Sequence, residues 1–256
     1  MEAGNHNQML SLLTYNIQSG SQTTSFREYV TKGWKQILPH RHQLHNLNAI
    51  GDLLEDYDFV GLQEVDGGSL RSGFVNQTRY LAGRAGFPYW FAQSNRNMGQ
   101  LAQHSNGLLS RYPPSKCFHR RLPGMPGRGI LIAEYDYGVE ILAVIVVHLS
   151  LGGHSQRRQV DYIRNLADQY PYSIILGDFN RSSESKLMKK LFAAGYQDGS
   201  SNAPTFPSWK PRRKIDYILV SEGLEVCSSE VVEYHLSDHL PIELKVILPE
   251  TVRLHA

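Results

Sequence analysis

Short apolar runs recur along the whole chain, with polar or glycine-containing stretches between them. Most of these runs are rich in Ile, Val, Leu and Tyr, a composition that favours β-strands. The close succession of two of the runs predicts a hairpin, formed by residues 129–135 and 141–148. The predicted strands cover residues 10–15, 59–65, 107–110, 129–135, 141–148, 173–176, 215–220 and 242–248.

Apolar residues at helical spacing occupy several of the intervening stretches. They predict one helix before the second strand and two helices later in the chain. The three apolar faces are Leu44, Leu47, Ile50 and Leu54; Val160, Ile163 and Leu166–Ala167; and Leu187, Leu191 and Phe192. This mixture of helices with hairpin-like strand pairs favours sheets packed on each other with helices outside. No Pro-, Ser- or Gly-rich linker divides the chain, so we expect residues 1–256 to form a single domain.

Composition and charge narrow the class of protein without identifying it. Hydrophobic residues make up 41% of the chain and charged residues 20%, as in ordinary globular proteins. The formal net charge is only +2, so any attraction to phosphates must come from local patches. The apolar stretches are shorter than the roughly 20 residues of a membrane helix, and the polar N-terminus has no signal-peptide core. We therefore expect a soluble, cytoplasmic protein, and the sequence indicates no particular protein partner.

Short polar signatures lie where the predicted strands meet their loops. Five apolar runs each finish in such a signature, and a sixth signature precedes the last strand. Polar side chains at strand ends can meet at one edge of a sheet, where α/β proteins place their functional sites. The six are Thr14–Tyr15–Asn16, Gln63–Glu64–Val65, His148–Leu149–Ser150, Gly177–Asp178–Phe179–Asn180, Ile215–Asp216–Tyr217 and Ser237–Asp238–His239.

Together these signatures hold the side chains of a hard-cation site with acid–base groups. Mg²⁺ binds oxygen ligands from one or two carboxylates and leaves its other positions to water and phosphate. Each residue alone also has an ordinary interpretation. An Asp or Asn after a strand is common in turns, His148 can be a surface residue, and Asp216 can be a buried hydrogen-bonding group. Six signatures at separate strands are much harder to explain as turns, so we interpret them as one site.

Seven segments in sequence order resemble the endonuclease/exonuclease/phosphatase superfamily over residues 10–248. They are LLTYNIQSG, GLQEVDGGS, SNGLLSRYP, VVHLSLG, IILGDFN, KIDYILVS and LSDHLPI. The superfamily includes abasic-site endonucleases, pancreatic-type deoxyribonucleases, neutral sphingomyelinases, inositol polyphosphate phosphatases and deadenylases. The resemblance implies an α/β fold, a four-layer α/β sandwich with two mixed β-sheets packed face to face and helices on both outer sides. It also implies a metal-dependent phosphoric ester hydrolase that uses Mg²⁺, with Mn²⁺ as an alternative.

Carried over position by position, the resemblance makes Glu64 the main magnesium ligand, supported by Asn16 and Asp238. Asp178 would align or deprotonate the attacking water, and Asn180 would hold a phosphate oxygen.

The resemblance also gives roles to both imidazoles. His239, oriented by Asp216, would contact the phosphate or serve as base. His148 would contact the phosphate as a second imidazole or protonate the leaving group, as in the deoxyribonuclease and sphingomyelinase branches. How Asp178 and the Asp216–His239 pair divide their roles stays open. The chemistry fits independently, because a carboxylate beside an imidazole fixes its tautomer and stabilises the imidazolium.

Two basic segments are candidates for substrate recognition. Residues 111–128 contain five Lys or Arg residues and no acidic one, and residues 210–214 contain four. Basic loops beside a phosphate site suit DNA or RNA, and they suit anionic lipid headgroups or inositol phosphates equally well. Solvated loops with no partner are the ordinary alternative. The predicted substrate-binding residues are Asn106, Arg128, Arg157, Arg212 and Arg213.

Three functions remain open at this point. The leading hypothesis is a magnesium-dependent, nuclease-like phosphodiesterase, and the second is a phospholipid or inositol-phosphate esterase. The third is a catalytically inactive binding domain, which predicts loss of the polar residues, whereas every matched position keeps its residue. The long loop at residues 19–41 is either a substrate lid or a packed surface excursion.

Overall fold

In the computed structural model, the described residues are 8–20, 41–97, 103–124 and 126–255. Most of the predicted 19–41 loop, residues 21–40, lies outside them. The described strands are β1 Met9–Asn16, β2 Phe59–Asp66, β3 Tyr89–Asn97, β4 Gln103–Ser110, β5 Lys116–Arg121, β6 Gly129–Tyr135, β7 Leu142–His148, β8 Tyr172–Asp178, β9 Tyr196–Asp198, β10 Asp216–Ser221, β11 Glu225–Val231 and β12 Ile242–Ile247. The described α-helices are α1 Arg41–Leu53, α2 Gln77–Arg84, α3 Gly153–Ala167 and α4 Lys186–Phe192.

The described strands form two mixed six-stranded sheets with matching arrangements. The strand order is β11-β12-β1-β2-β4-β3 in the first sheet and β5-β6-β7-β8-β10-β9 in the second. A parallel pair lies at the centre of each sheet, β1–β2 in the first and β7–β8 in the second. All other neighbouring strands are antiparallel. We call β1–α1–β2 the first unit and β7–α3–β8 the second unit.

The two sheets pack face to face around the largest apolar core. Leu12 and Phe59 of the first sheet share this core with Val144 and Leu176 of the second. Central strands that are buried on both faces read as continuous apolar runs, and every residue of β7 is buried. This double burial explains why the sequence pattern finds the central strands.

Helices cover the outer face of each sheet. Leu47 and Ile50 of α1 and Leu81 of α2 pack on the first sheet, and Val160 of α3 and Met188 of α4 pack on the second. The predicted four-layer α/β sandwich is therefore confirmed, as are the three predicted helices and the β6–β7 hairpin. The single domain stays a prediction, which the core shared between the sheets supports.

The pattern missed four strands, and all four are edge strands: β3, β5, β9 and β11. An edge strand has one unpaired side and often carries charged residues that discourage pairing with other chains. Residues 116–121 illustrate this, because the expected basic loop is instead the mostly exposed strand β5. The missed helix α2 begins after Asn76, whose side chain accepts a hydrogen bond from Arg79 N at 3.0 Å. Among the described residues, no helix is long and apolar enough to cross a membrane.

Candidate active site

The strands of the second sheet place three of the predicted residues side by side. His148 and Asp178 are register partners across β7 and β8, and Asp178 and Asp216 are partners across β8 and β10. Asp216 begins its strand, which agrees with the predicted strand 215–220 and differs from the first four signatures, where an apolar run finishes. Because β10 is antiparallel to β8, its first residue lies beside the last residue of β8. The three side chains therefore lie at one edge of the sheet.

Asp178 is the centre of the site and is almost completely buried. Asn16 Nδ2 donates a hydrogen bond to its Oδ2 at 3.3 Å, although the two residues are 162 positions apart. The same oxygen lies 3.5 Å from His148 Nε2 and 3.9 Å from His239 Nε2. Asn180 N donates to the other oxygen, Oδ1, at 2.8 Å. Groups from both sheets thus converge on one carboxylate.

His239 and Asp216 form a directly bonded pair. His239 Nδ1 lies 2.9 and 3.1 Å from the two carboxylate oxygens of Asp216. An ionised carboxylate only accepts hydrogen bonds, so Nδ1 carries a proton. Thr205 Oγ1 also donates to Asp216, at 2.5 Å, and the Phe206 ring lies 4.8 Å from the imidazole ring of His239. The imidazole is therefore fixed with Nε2 on the side of Asp178.

Burial and charge shift the proton affinities of this cluster. The pKa of Asp178 is raised to about 7, first by burial and then by the negative charge of Asp216, against the lowering effect of His239. Burial lowers the pKa of His239, but the carboxylates led by Asp216 outweigh it and raise that pKa to about 10. At neutral pH the site thus combines a positively charged imidazole with a carboxyl group that titrates close to pH 7. Such strongly shifted groups cluster at functional sites.

Glu64 reaches the site through a β-bulge in β2. Gln63 and Glu64 together face the single residue Asn106 of β4, and Glu64 has a φ of 58°. This left-handed conformation costs a residue with a side chain about 1–2 kcal/mol. The extra residue redirects the side chain, and Glu64 Oε1 lies 3.9 Å from His148 Nε2. Strain of this kind concentrates at functional positions.

The oxygen atoms around Glu64 fit a divalent cation. The pKa of Asp238 is raised to about 6 by burial, and the negative charge of Glu64 contributes to the shift. A cation between these two carboxylates would relieve that repulsion. Asn16 Oδ1 accepts a hydrogen bond from Gln18 N at 3.2 Å and has a second lone pair available. Two carboxylates and an amide oxygen are ligands that Mg²⁺ prefers.

A second group of potential ligands overlaps the acid–base pair. Asp178, Asp216 and His239 each offer one ligand atom, and these atoms lie within 4.8 Å of one another. Two members, Asp216 and His239, already bond to each other. In the Glu64–Asp238 region burial and, in addition, the negative charge of Glu64 raise the pKa of Asp238, so this region is the better position for a cation.

The environment of His148 determines its tautomer. Arg128 Nη1 lies 3.3 Å from His148 Nδ1. A guanidinium group only donates hydrogen bonds, so Nδ1 accepts and the ring proton lies on Nε2. Nε2 lies 3.5 Å from Asp178 Oδ2 and 3.9 Å from Glu64 Oε1. His148 thus presents an N–H group to the site.

Asn180 connects the loops that follow β7 and β8. Its Nδ2 donates to Leu149 O at 3.0 Å, and its backbone N–H donates to Asp178. The residue has a φ of 53°, a conformation that Asn adopts more readily than most residues. The predicted phosphate-holding amide therefore lies beside Asp178.

The predicted substrate-binding residues occupy different surroundings. Asn106 is fully buried and donates from Nδ2 to Gly129 O at 3.0 Å, next to Arg128. Arg157 is exposed on α3, and Arg212 and Arg213 are exposed in the segment before β10. The Arg213 guanidinium lies 5.9 Å from the Phe206 ring, which itself packs on His239.

The structure corrects two parts of the basic-segment prediction. Arg111 donates four hydrogen bonds to backbone carbonyls, including that of Gly86 at 2.6 Å, so it stabilises the fold. Lys214 is buried, and its Nζ lies 2.6 Å from Asp198 Oδ2, so it is unavailable to a polyanion. Of the described residues in the first basic segment, Arg128 is the one bonded to a predicted site residue.

Sequence reasoning missed residues that hold the site together. Thr205 and Phe206 contact Asp216 and His239, but no local pattern distinguishes them. Ser237 Oγ donates to Asn16 O at 2.6 Å, which joins the last polar signature to the first. Ser237 stands in the predicted signature Ser237–Asp238–His239, but the pattern gave it no role of its own.

The comparison with protein families identifies the fold and the class of chemistry. A profile of the endonuclease/exonuclease/phosphatase family matches residues 13–239. The chain belongs to this family. The matched range contains every predicted ligand and acid–base residue from Asn16 to His239, and membership confirms the predicted class of phosphoric ester hydrolases. No curated protein matches the chain.

Solved structures of family members share the fold at low sequence identity. An endonuclease/exonuclease/phosphatase from Beutenbergia cavernae is 19% identical with a TM-score of 0.75, covering 94% of this chain and 72% of that one. A mannosyl-6-phosphatase from Bacteroides thetaiotaomicron is 15% identical with a TM-score of 0.69, covering 93% and 100%. The human Nocturnin catalytic domain with bound sulfate is 14% identical with a TM-score of 0.69, covering 95% and 97%. At these identities the likeness extends to the fold alone.

Proposed function

We propose that this protein is a Mg²⁺-dependent phosphodiesterase that cleaves nucleic acid, with Mn²⁺ as an alternative cofactor. One observation carries the proposal: the bonded Asp216–His239 pair faces the buried Asp178 beside a strained Glu64. Family membership supports phosphoester chemistry. The cytoplasmic location expected from the sequence remains part of this proposal.

Glu64, Asp238 and Asn16 would hold the cation, with Glu64 as the main ligand. When bound, the cation would neutralise charge on the phosphate and stabilise the leaving oxygen. Asn16 would also orient Asp178, through the hydrogen bond from its Nδ2. This double use of one amide would couple the cation site to the acid–base site.

Asp178 would align the attacking water and take up its proton. Its pKa of about 7 suits proton transfer near neutral pH, since a general base works best when its pKa is close to the working pH. Protonated His239, oriented by Asp216, would donate from Nε2 to a phosphate oxygen and stabilise the negative charge that develops there. In this division of roles, His239 is a charge stabiliser rather than the base.

His148 would donate from Nε2 to a second phosphate oxygen. The hydrogen bond from Arg128 fixes the proton on that nitrogen, so Arg128 would act through His148. Asn180 would donate to the phosphate from the loop beside Asp178. Asn106, which is buried and bonded to Gly129 O, would support the backbone next to Arg128 rather than contact the substrate.

The basic segment before β10 favours nucleic acid as the substrate. Lys210, Arg212 and Arg213 are exposed on the same segment that carries Thr205 and Phe206, the residues packed on Asp216 and His239. Positive charges at this place would lie along the backbone of a strand whose scissile phosphate is at the site. An anionic lipid or an inositol phosphate is the alternative substrate.

A substrate panel in Mg²⁺ would test the function. The panel consists of plasmid DNA, abasic DNA, RNA, sphingomyelin vesicles and inositol phosphates. We expect cleavage of at least one nucleic acid, loss of activity in excess EDTA, and recovery with Mg²⁺ or Mn²⁺. Turnover in excess EDTA, or recovery with Zn²⁺ alone, would contradict the cation assignment. Cleavage of lipid or inositol phosphate but of no nucleic acid would contradict the substrate assignment.

The salt dependence of binding would test the basic segment separately. Each phosphate contact lowers log affinity by roughly 0.7–0.9 per unit of log salt. We expect Arg212→Ala with Arg213→Ala to flatten the slope for defined oligonucleotides by about one to two units. Lys245→Ala with Arg253→Ala removes the same charge from exposed positions elsewhere and should leave the slope unchanged. An unchanged slope in the first variant would exclude this segment as a nucleic-acid contact.

A further inference from the structure

A basic pocket of about 450 Å³ lies beside the proposed active site, between α3 and the α4 region. Positive side chains line it: Arg157 of α3, Arg181, and Lys186 and Lys190 of α4. None of the described residues that line it is acidic. This composition favours an anionic ligand.

Arg181 is held in this pocket by one hydrogen bond from its side chain and one to its backbone. Its Nε donates to Oε1 of Gln156, which is fully buried, and its carbonyl accepts a hydrogen bond from Tyr217 Oη at 2.9 Å. Its Nη2 lies 3.0 Å from the place that a Cβ at position 153 would occupy. Gly153 therefore leaves room for the guanidinium group. A planar fork of donors held in this way loses little entropy when it binds an oxyanion.

Two of the other three cations add charge that no salt bridge among the described residues neutralises. Within the described part of the chain, neither Arg157 nor Lys186 has a salt bridge, whereas Lys190 contacts Asp161. Arg157 and Lys186 are exposed at the pocket, so each can swing toward a ligand. One fixed guanidinium and two cations without a described salt bridge carry three positive charges, whereas a carboxylate carries only one negative charge. The set suits a phosphate group, whose oxygens accept forked hydrogen bonds from Arg.

The pocket adjoins the site through two short connections. Arg181 directly follows Asn180, and Gly153 comes five residues after His148. The hydrogen bond from Asn180 Nδ2 to Leu149 O joins these two connections. A phosphate at Asp178 and an anion in the pocket would therefore lie on neighbouring parts of one surface.

We infer that this pocket binds a second phosphate group of the substrate, next to the phosphate that is cleaved. The inference rests on the proposed phosphodiesterase function, and it adds that the preferred substrates carry at least two phosphates. In a polynucleotide the second group is a neighbouring phosphate of the strand. In a small molecule it is a further phosphate ester.

Two matched substrate series would test the pocket. The first is dithymidine monophosphate without a terminal phosphate, with a 5′-phosphate and with a 3′-phosphate. The second is inositol 1-phosphate against inositol 1,4-bisphosphate. We expect a second phosphate to raise kcat/KM by roughly tenfold to a hundredfold, as hydrogen bonds between charged groups do. Arg157→Ala with Lys186→Ala should remove most of that preference.

A control variant and a binding measurement make the outcome decisive. Arg158→Ala with Lys189→Ala removes the same charge from exposed neighbouring positions of α3 and α4 outside the pocket and should keep the preference. Calorimetry in excess EDTA should show weaker binding of the bisphosphorylated ligands to the pocket variant, even if no substrate is turned over. A preference in the inositol series alone would contradict the nucleic-acid proposal and support the pocket. Equal preference and equal binding in both variants would overturn the pocket inference.

Discussion

The two βαβ units have the same topology but supply different chemistry. In each unit a parallel pair of strands is central to its sheet. The strands of the first unit end near Asn16 and Glu64, and those of the second unit end at His148 and Asp178. In the proposed mechanism the first set would hold the cation, and the second would supply an imidazole and the carboxylate that takes up a proton. The same backbone arrangement thus occurs twice and places two different sets of functional groups at the candidate site.

The strands that follow the units show the same divergence. β4 pairs with β2 across a bulge in which Asn106 faces Gln63 and Glu64. β10 pairs with β8 in regular register, so Asp216 lies directly beside Asp178. The bulge moves Glu64 away from its strand neighbour, whereas regular pairing keeps the two aspartates together. Burial raises the pKa of Asp178, and the negative charge of Asp216 raises it further. A single inserted residue in β2 thus accounts for the different positions of Glu64 and Asp178 relative to their neighbouring strands.

The largest effect is expected in the second unit and its partners. Asp216→Asn and His239→Ala should each lower kcat by roughly 10²–10⁴-fold, the range for positioned acid–base groups. The double variant should be little worse than the more damaged single variant, because bonded groups act as a unit. The measurement is kcat at saturating Mg²⁺, with exposed His119→Ala as the matched control. Multiplicative losses would show that the two residues work independently.

The next largest effect is expected in the first unit. Glu64→Gln should raise the Mg²⁺ concentration for half-maximal activity by at least about tenfold, since even outer contacts of a metal site change affinity by roughly 10–100-fold. Asp216→Asn should leave that concentration unchanged. Activity is measured against Mg²⁺ concentration for both variants. If Glu64→Gln lowers kcat without changing the Mg²⁺ requirement, the assignment of cation binding to the first unit is wrong.

A smaller effect concerns stability against pH without metal. The folded pKa of Asp178, about 7, lies above its ordinary value of 3.8, so the folded state binds this proton more tightly. Its stabilising contribution is complete below the ordinary value and is lost as pH rises through about 7. Thermal unfolding in excess EDTA should therefore occur at lower temperature as pH rises over this range. Asp178→Asn should flatten the dependence, and exposed Asp136→Asn should not. An equal slope in both variants would contradict the pKa shift.

The smallest effect tests the bulge itself. At an ordinary strand position Ala is more stabilising than Gly by roughly 0.5–1 kcal/mol. At position 64 the left-handed backbone should reverse this order, because Gly adopts a positive φ without strain. The free energy of unfolding is compared for Glu64→Ala and Glu64→Gly, with Lys245→Ala and Lys245→Gly on β12 as the reference pair. The same order at both positions would mean that Glu64 is not strained.

The amino-acid sequence alone determined the central architecture and indicated most residues of the candidate site. Strands buried on both faces, such as β7, leave a continuous apolar run, and amphipathic helices leave a spacing of three and four. Polar residues at the ends of such runs are easy to recognise, because the buried positions within the runs hold apolar residues. The seven segments, in their order, were enough to indicate the family that the profile confirms.

The tertiary structure alone decided how those residues are arranged. The Asn16–Asp178 hydrogen bond joins positions 162 residues apart, and no local pattern encodes such a distance. The bulge at Glu64, the contacts of Thr205 and Phe206, and the burial of Lys214 against Asp198 likewise depend on packing between elements. The four edge strands were missed because half of each strand faces solvent and needs no apolar residue. The periodicity of apolar residues indicates which face of a helix or strand is buried. Which other element packs on that face is determined only by the folded structure.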